Sequence, residues 1–225
     1  MPSSRRDGLT GRFDLVAALD AEGRQQLEAV AHTVEIEAGG VLQTVGGPAA
    51  RLLLVTAGSL HVVRSDRAGR RRIVRIIGPG DHYGLVEFAL DSPARYLVEA
   101  GEASTLTEIR FDDLRTIADR HPALQRTITM ALARKTAESE HLLVSLTSED
   151  VVTRVVSYLL SLPRRRGGDG RTSVQLPLTQ IDLASYLGTT PETLSRRLRE
   201  LMDSGAINRG AHREFTLDEE LLARY

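Results

Sequence analysis

The residues with the clearest chemical potential lie close together near the carboxyl terminus of this 225-residue chain. Glu192, Ser195, Arg196 and Arg199 stand at positions i, i+3, i+4 and i+7, so in an α-helix they would share one face. Arginine can donate two hydrogen bonds to O6 and N7 of guanine, glutamate can accept one from N4 of cytosine, and serine can do either. The spacing predicts a helix that reads base edges in DNA, although a merely solvated polar face would show the same pattern.

The segment around this helix has the start and stop signals of a helix-turn-helix. Thr179, with Asp182 three residues later, predicts a capped first helix, and Gly188 permits a sharp turn. Thr190 then predicts the cap of the second helix, with Pro191 at its first position. The apolar faces of the two helices would be formed by Leu183, Ala184, Leu187, Leu194, Leu198 and Leu201. Contacts to DNA phosphates are expected at Thr179, Thr190, Arg197 and Arg199.

Weaker signals flank this motif. Gly205 predicts the end of the second helix, and Asn208–Leu217 predicts a β-hairpin wing. On the other side, Ser148 is a candidate N-cap for a helix over Glu149–Leu162, and Arg164–Thr172 has the composition of a loop.

Positive charge is concentrated in this C-terminal segment. The whole chain has a formal net charge of −1, but the stretch from Arg164 to Arg213 holds nine arginines against five acidic residues. DNA affinity depends on the charge that faces phosphate, so this local excess of four positive charges is the relevant quantity.

A long helix is predicted before the helix-turn-helix, beginning near Pro122, a residue that is tolerated in a first helical turn. Its residues repeat at alternating steps of four and three along one seam, namely Leu124, Ile128, Ala131, Lys135, Glu138 and Leu142. A heptad seam is typical of paired helices, so we expect a homodimer that pairs along Pro122–Ser145. The alternative is a helix that packs on its own barrel.

The N-terminal half is rich in β-forming residues separated by glycine-containing turns. The predicted strands are Val34–Glu37, Leu52–Thr56, Leu60–Arg64 and Arg72–Ile77, and short helices are predicted within Phe13–Ala31. Short strands at nearly regular spacing favour an antiparallel barrel or sandwich. The predicted fold is therefore α+β, with a sensor domain over residues 1–121, a dimerisation helix over 122–147 and a winged helix-turn-helix over 148–225.

Composition argues against several function classes. The chain has no cysteine, which excludes disulfides, thiolate metal sites and cysteine-ligated iron–sulfur clusters. No apolar run approaches the roughly 20 residues of a membrane span, so a cytoplasmic protein without membrane contact is expected. No nucleotide-binding loop, hydrolase elbow or metalloprotease motif occurs, so we do not expect an enzyme. The rival to a DNA-binding protein is a ligand-binding module that acts through protein contacts.

The chain resembles the CRP/FNR family of bacterial transcription regulators over nearly its whole length. The segments EAGGVLQTVGG and IIGPGDHYG resemble the family's β-roll, Asp150 falls at its usual hinge, and ETLSRR matches the E-x-x-S-R signature of the FNR branch. The resemblance implies a cupin-like β-roll of the cyclic-nucleotide-binding type, a homodimer on a palindromic operator, and contact with RNA polymerase. It also implies that Glu192, Ser195 and Arg196 read TTGAT-like half-sites.

The sensor domain departs from the family's cyclic-AMP pocket. Members that bind cyclic AMP carry Gly-Glu at the pocket start and Arg-Ser or Arg-Thr before an apolar strand. Here Leu85 follows Gly84, and Glu87 comes two positions late. By the same resemblance, an effector pocket would be made by Gly84, Leu85, Glu87, Arg95, Tyr96 and Ser139. Cyclic AMP is thus disfavoured, while another small effector, a cyclic-nucleotide response, haem at one of six histidines, or no effector at all stay open.

Overall fold

The computed structural model of the protein describes residues 13–65, 69, 71–148, 150–166, 172–211 and 213–225, and for residues 141–148 it describes the backbone alone. The chain forms two compact units, Met1–Glu138 and Ser139–Tyr225, and the division between them falls within one long helix. The domain boundaries expected from the sequence, at 121/122 and 147/148, stay predictions.

The first unit consists of two β-sheets accompanied by helices. In chain order its elements are α1 (Asp14–Ala17), α2 (Ala21–Val30), β1 (His32–Ile36), β2 (Val41–Gln43), β3 (Arg51–Ala57), β4 (Leu60–Ser65), β5 (Arg71–Ile77), β6 (His82–Tyr83), α3 (Leu85–Leu90), β7 (Leu97–Ala100), β8 (Ser104–Arg110), α4 (Phe111–Arg120) and the first part of α5 (Pro122–Ser148). The strands pair antiparallel in two four-stranded sheets, of order β1-β8-β3-β6 and β2-β7-β4-β5. The predicted α+β class with an N-terminal antiparallel β-roll is confirmed.

Glycine turns determine where these strands end. Gly58, between β3 and β4, has a φ of +80°, and a Cβ built there would lie 2.2 Å from Oγ of Ser104. A side chain at this position would therefore be strained by both backbone and neighbour. The four strands expected from the sequence are confirmed, and their ends differ from expectation by one or two residues.

Two hydrophobic clusters form the core of the first unit. One is made almost entirely by strand residues: Leu53, Val55, Leu60, Val62, Ile77, Tyr83, Val98, Ala100 and Leu106. The other joins the helices to the sheet through Phe13, Leu15, Val16, Leu19, Leu27, Leu52, Leu54, Leu85, Ile109, Phe111, Leu114, Ile117, Ala118, Leu124 and Ile128. Successive residues of β3 alternate between the two clusters, as the period of two in a strand requires.

The first part of α5 packs against its own unit. Leu124 and Ile128, which begin the predicted heptad seam, are 0% and 7% exposed and belong to the second cluster, and Ala131 packs against it. These apolar side chains are buried within their own unit, in one cluster with residues of α1, α2 and α4, as the alternative of a helix packed on its own barrel expects. Pairing of two chains along Pro122–Ser145 stays a prediction. Further along, Lys135 forms an ion pair of 2.9 Å with Glu138 of the same helix.

The second unit is a small α+β module. After the end of α5 it contains α6 (Val151–Ser161), β9 (Arg164–Arg166), β10 (Thr172–Gln175), α7 (Gln180–Tyr186), α8 (Pro191–Asp203), β11 (Ile207–Arg209), β12 (Glu214–Leu217) and α9 (Glu219–Leu222). Its four-stranded antiparallel sheet has the order β11-β12-β10-β9. The hairpin of β11 and β12 confirms the predicted wing.

Two expectations for the start of this unit are wrong. Ser148 is the last residue of α5 and does not cap α6; Asp150 is the cap, because its side chain accepts a 2.9 Å hydrogen bond from the amide of Thr153. Arg164–Arg166 form strand β9 instead of a loop, since their backbone pairs antiparallel with β10. Residues 167–171 of the expected loop, and Glu149 of the expected helix, lie outside the described residues.

Across the described ranges, none of the helices combines the length and the apolar character needed to span a membrane.

Candidate nucleic-acid interface

Helix α7 begins at the cap that the sequence predicts. Oγ1 of Thr179 accepts a hydrogen bond of 3.2 Å from the amide of Asp182 and donates one of 2.6 Å to its Oδ2. Such reciprocal bonding satisfies an amide that has no partner within the helix. The predicted apolar face is confirmed, because exposure is 0%, 0% and 3% at Leu183, Ala184 and Leu187.

A tight turn carries the chain from α7 into α8. Gly188 has a φ of +66°, which a residue with a side chain rarely adopts. Thr190 caps α8 by accepting a 3.2 Å hydrogen bond from the amide of Thr193, and Pro191 is the first helical residue. Every element of the predicted helix-turn-helix is therefore present, with Gly205 in the left-handed conformation just beyond the end of α8.

Helix α8 separates an apolar face from a charged one. Leu194, Leu198 and Leu201 are at most 1% exposed and hold the helix against the rest of the unit. The other face brings together the predicted base readers: Glu192 and Arg196 are exposed, Ser195 is half-buried, and exposed Arg199 follows one turn later. Within the described part of the chain, no ion pair is formed by Arg196 or Arg199. Both guanidinium groups are thus available to an anionic partner.

Glu192 is held in its ionised form. Hydrogen bonds from its own backbone amide and from the hydroxyl of Thr190 lower the pKa of this exposed carboxyl. Its place in the first turn of α8 adds the favourable interaction of an anion with a helix N-terminus. The group is therefore an acceptor alone at neutral pH, which suits the amino group of cytosine.

Arg197 has different surroundings from the neighbouring Arg196. Its Nη1 lies 2.8 Å from Oε2 of Glu200, and this contact raises the pKa of Arg197. The charge of Asp150, at the start of α6, acts on it as well. A phosphate contact by Arg197 would have to compete with these carboxylates, so its predicted role stays a prediction, as do the phosphate contacts of exposed Thr179 and Thr190.

One residue of the expected effector pocket, Glu87, forms a buried hydrogen bond that the sequence analysis did not predict. Glu87 is 3% exposed, and its Oε1 accepts a 2.8 Å hydrogen bond from the hydroxyl of Tyr83. Gln43 donates to the same hydroxyl over 3.2 Å. Burial and the charge of Glu87 raise the pKa of Tyr83, so the phenol remains a donor. In the sequence, this contact is indicated only by the four-residue spacing of Tyr83 and Glu87. Whether the two side chains meet depends on how the chain turns from β6 into α3.

The other pocket candidates have differing surroundings, and their role in a pocket stays a prediction. Gly84 has a φ of +114°, and an added Cβ would lie 2.6 Å from the carbonyl oxygen of Arg51, so its role is backbone geometry. Leu85 is buried in the hydrophobic cluster that joins the helices to the sheet, and Tyr96 packs against the cluster made by strand residues. Arg95 is exposed, and Ser139 is exposed on the part of α5 that belongs to the second unit.

The described residues hold no group of three or more histidine, aspartate or glutamate side chains that could bind a metal ion. His82 is half-buried, and burial lowers its pKa. His212 and the side chain of His141 lie outside the described residues. Haem ligation by one of the histidines stays a prediction.

Comparison with known proteins decides the family. A model of the cyclic nucleotide-binding domain matches residues 33–121, and a model of the Crp-like helix-turn-helix domain matches residues 153–225. The probable transcriptional regulator flp of Lacticaseibacillus casei is 30% identical over 211 residues, which cover 94% of each chain. The chain belongs to the CRP/FNR family. It is a DNA-binding transcription regulator, and its relatives are regulators, not enzymes.

Two further CRP/FNR proteins extend the likeness over sequence and fold. The CRP-like cAMP-activated global transcriptional regulator of Mycobacterium tuberculosis is 28% identical over 226 residues, 97% of this chain and 98% of that protein. The solved structure of FixK2 from Bradyrhizobium japonicum superposes with a TM-score of 0.78 at 25% identity, covering 87% of this chain and 96% of FixK2. Both units thus have counterparts in one family architecture.

Proposed function

We propose that this CRP/FNR regulator binds, as a homodimer, to a palindromic operator with TTGAT-like half-sites. The observation that carries the proposal is the charged face of α8, where Glu192, Ser195 and Arg196 stand opposite a fully buried leucine face. A rigid apolar face holds the polar groups in one orientation, which hydrogen bonding to base edges requires.

Each base reader has a distinct role in this proposal. Arg196 donates to O6 and N7 of the half-site guanine, Glu192 accepts from N4 of a cytosine, and Ser195 bonds to an adjacent base. The N-terminus of α8 enters the major groove, as recognition helices do. Phosphates flanking the half-site are contacted by Thr179, Thr190, Arg199 and, after release from Glu200, Arg197.

The stripe of α5 that meets the partner chain is proposed to differ from the seam expected from sequence. Its positions follow those of the seam by one residue, so the stripe lies on a neighbouring side of the helix. Leu124 and Ile128 face their own core, and Arg134, on the other side of that seam, forms an ion pair of 3.0 Å with Asp14 of the same unit. Leu132 also packs against that core, so the proposed stripe is the heptad-spaced set that begins one turn later, at Thr136, Ser139, Leu143 and Leu146. Pairing there would set two recognition helices about one DNA turn apart, about 34 Å.

A small effector other than cyclic AMP is proposed to gate the regulator. Leu85 stands where cyclic-AMP binders of the family have the ribose-contacting glutamate, and Glu87 already accepts a hydrogen bond from Tyr83. Arg95 is exposed, so its position does not support a role in binding the phosphate of a nucleotide inside a pocket. Contact with RNA polymerase is proposed from family membership alone.

A cyclic-nucleotide response is the second candidate. It is favoured by the match of residues 33–121 to the cyclic nucleotide-binding domain and by the M. tuberculosis relative, which is cAMP-activated by its name. Titration of the purified protein with cyclic AMP and cyclic GMP, followed by calorimetry and by DNA affinity, separates the candidates. Saturable binding that strengthens operator affinity would establish the second one.

The central test is fluorescence anisotropy on a palindromic TTGAT/ATCAA duplex and on a duplex with the half-site guanines replaced. We expect tight binding that is lost on the altered duplex, with a stoichiometry of two chains per duplex. Equal affinity for both duplexes, at several salt concentrations, would refute the proposed operator, since phosphate contacts alone give sequence-independent binding.

A further inference from the structure

Arg154, on α6, is a buried charged residue that is not one of the proposed base readers of α8. It is 9% exposed, and arginine is rarely buried without a partner. It lies one turn beyond the cap residue Asp150, on a helix that buries Val152, Val155, Val156 and Leu159. A guanidinium kept among such neighbours needs hydrogen-bond acceptors to offset the loss of water.

One hydrogen-bond partner of Arg154 lies at the turn of the helix-turn-helix. Its Nε donates a buried hydrogen bond of 3.0 Å to the carbonyl oxygen of Leu187. Leu187 is the C-cap of α7, and Gly188 with its positive φ follows directly. Carbonyl groups at a helix end lack the amides of a next turn, and a cation there also interacts favourably with the helix dipole. The bond thus holds the point at which the chain leaves α7.

A ring contact joins the same two helices close by. The rings of Tyr158 on α6 and Tyr186, the last residue of α7, have centroids 5.6 Å apart with planes tilted by 56°. Tyr158 follows Arg154 by four residues, so both side chains lie on one face of α6. Helix α6 therefore contacts the end of α7 at two successive turns.

We infer that Arg154 is a positioning residue for DNA recognition: it fixes the turn between α7 and α8 and so the angle at which the base readers are presented. The inference rests on the proposed base reading by α8. Hydrogen bonds to base edges need donor–acceptor distances of about 3 Å. A small rotation of α8 would lengthen these distances and break the bonds. Contacts to phosphates, which tolerate more movement and carry no sequence information, would survive.

The test compares three variants of the full chain. Arg154→Met keeps a long side chain but removes the donor, and Arg154→Lys keeps the charge but loses the Nε–H. Arg72→Met, at an exposed arginine of β5, is the matched control. We expect Arg154→Met to weaken binding to the TTGAT/ATCAA duplex by about ten-fold or more, with Arg154→Lys intermediate and the control unchanged. The slope of log affinity against log salt should stay constant, because no phosphate contact is lost.

Unchanged discrimination by Arg154→Met, or a reduced salt slope, would overturn the inference. Hydrogen exchange provides a readout that needs no operator. In Arg154→Met the amides of 188–190 should exchange faster, while those of β11 and β12 keep their protection. Faster exchange throughout the second unit, or its unfolding, would make Arg154 a general stability residue and refute the positioning role. If the wild-type protein itself fails to discriminate the duplexes, the proposed operator fails and hydrogen exchange alone decides the role of Arg154.

Discussion

At the scale of single residues, neighbouring arginines on α8 have different surroundings and should have different roles. Arg196 is exposed, whereas Arg197 is paired with Glu200. We predict that Arg196→Ala removes about 1–3 kcal/mol of discrimination per half-site, because a bidentate contact to guanine is lost. Anisotropy on matched and altered duplexes measures the effect, with Arg72→Ala as the control. A preference equal to that of the wild type would show that another residue reads the guanine.

A second residue-scale prediction concerns the buried contact of Tyr83 with Glu87. Tyr83→Phe removes the donor and leaves a buried carboxylate oxygen without it, so the first unit should lose about 1–3 kcal/mol of stability. Urea unfolding followed by circular dichroism measures the loss. The double variant Tyr83→Phe/Glu87→Met should recover part of it, because both polar groups are then gone. Additive losses in the double variant would contradict a direct coupling.

At the scale of elements, the junction between α5 and α6 depends on one carboxylate. Hydrogen bonds from Thr153, its backbone amide first, lower the pKa of Asp150. We predict that Asp150→Ala destabilises the second unit by about 1 kcal/mol near neutral pH, while Asp150→Asn, which can still accept the bond, retains most of the stability. Thermal and urea unfolding of the three proteins give the comparison.

The stability that the Asp150 cap contributes should depend on pH, because the pKa of this carboxyl is lowered in the folded protein. A carboxyl whose folded-state pKa is depressed contributes stability that is fully present above its unfolded-state pKa and is lost as the pH falls through the folded-state value. The stability advantage of the wild type over Asp150→Ala should therefore shrink below about pH 4. Asp150→Asn, which has no charge to lose, should show no such dependence. An advantage that persists unchanged at about pH 2 would argue against an ionised cap.

At the scale of the whole molecule, the proposed dimer depends on which stripe of α5 meets its partner. We predict that Leu143→Asp converts the dimer to monomers, because the charge would replace an apolar side chain of the proposed helix–helix contact. Val144→Asp, one residue away and therefore on another side of the helix, should leave it dimeric. Analytical ultracentrifugation measures the state of each variant. Dissociation by Leu142→Asp but not by Leu143→Asp would instead support the seam expected from sequence.

Many local features of this protein could be predicted from the sequence alone, because each depends on residues that lie close together in the chain. The caps at Thr179 and Thr190, the turn at Gly188 and the leucine face of α8 each depend on residues within one or two helical turns. Strands β1, β3, β4 and β5 could likewise be predicted between their turns, whereas β2, β6, β7 and β8 were not predicted. Charge and hydrogen-bonding capacity at α8 then indicated DNA, and the comparisons confirmed the regulator family.

Only the tertiary structure decided features that join distant parts of the chain. Periodicity identified Leu124 and Ile128 as an apolar stripe, but whether their own core or a partner buries such a stripe depends on what packs beside it. The bond from Arg154 to Leu187 spans 33 residues, and the contact of Gln43 with Tyr83 spans 40. No local pattern encodes such pairs, because the free energy of burying a polar group depends on partners that folding brings together.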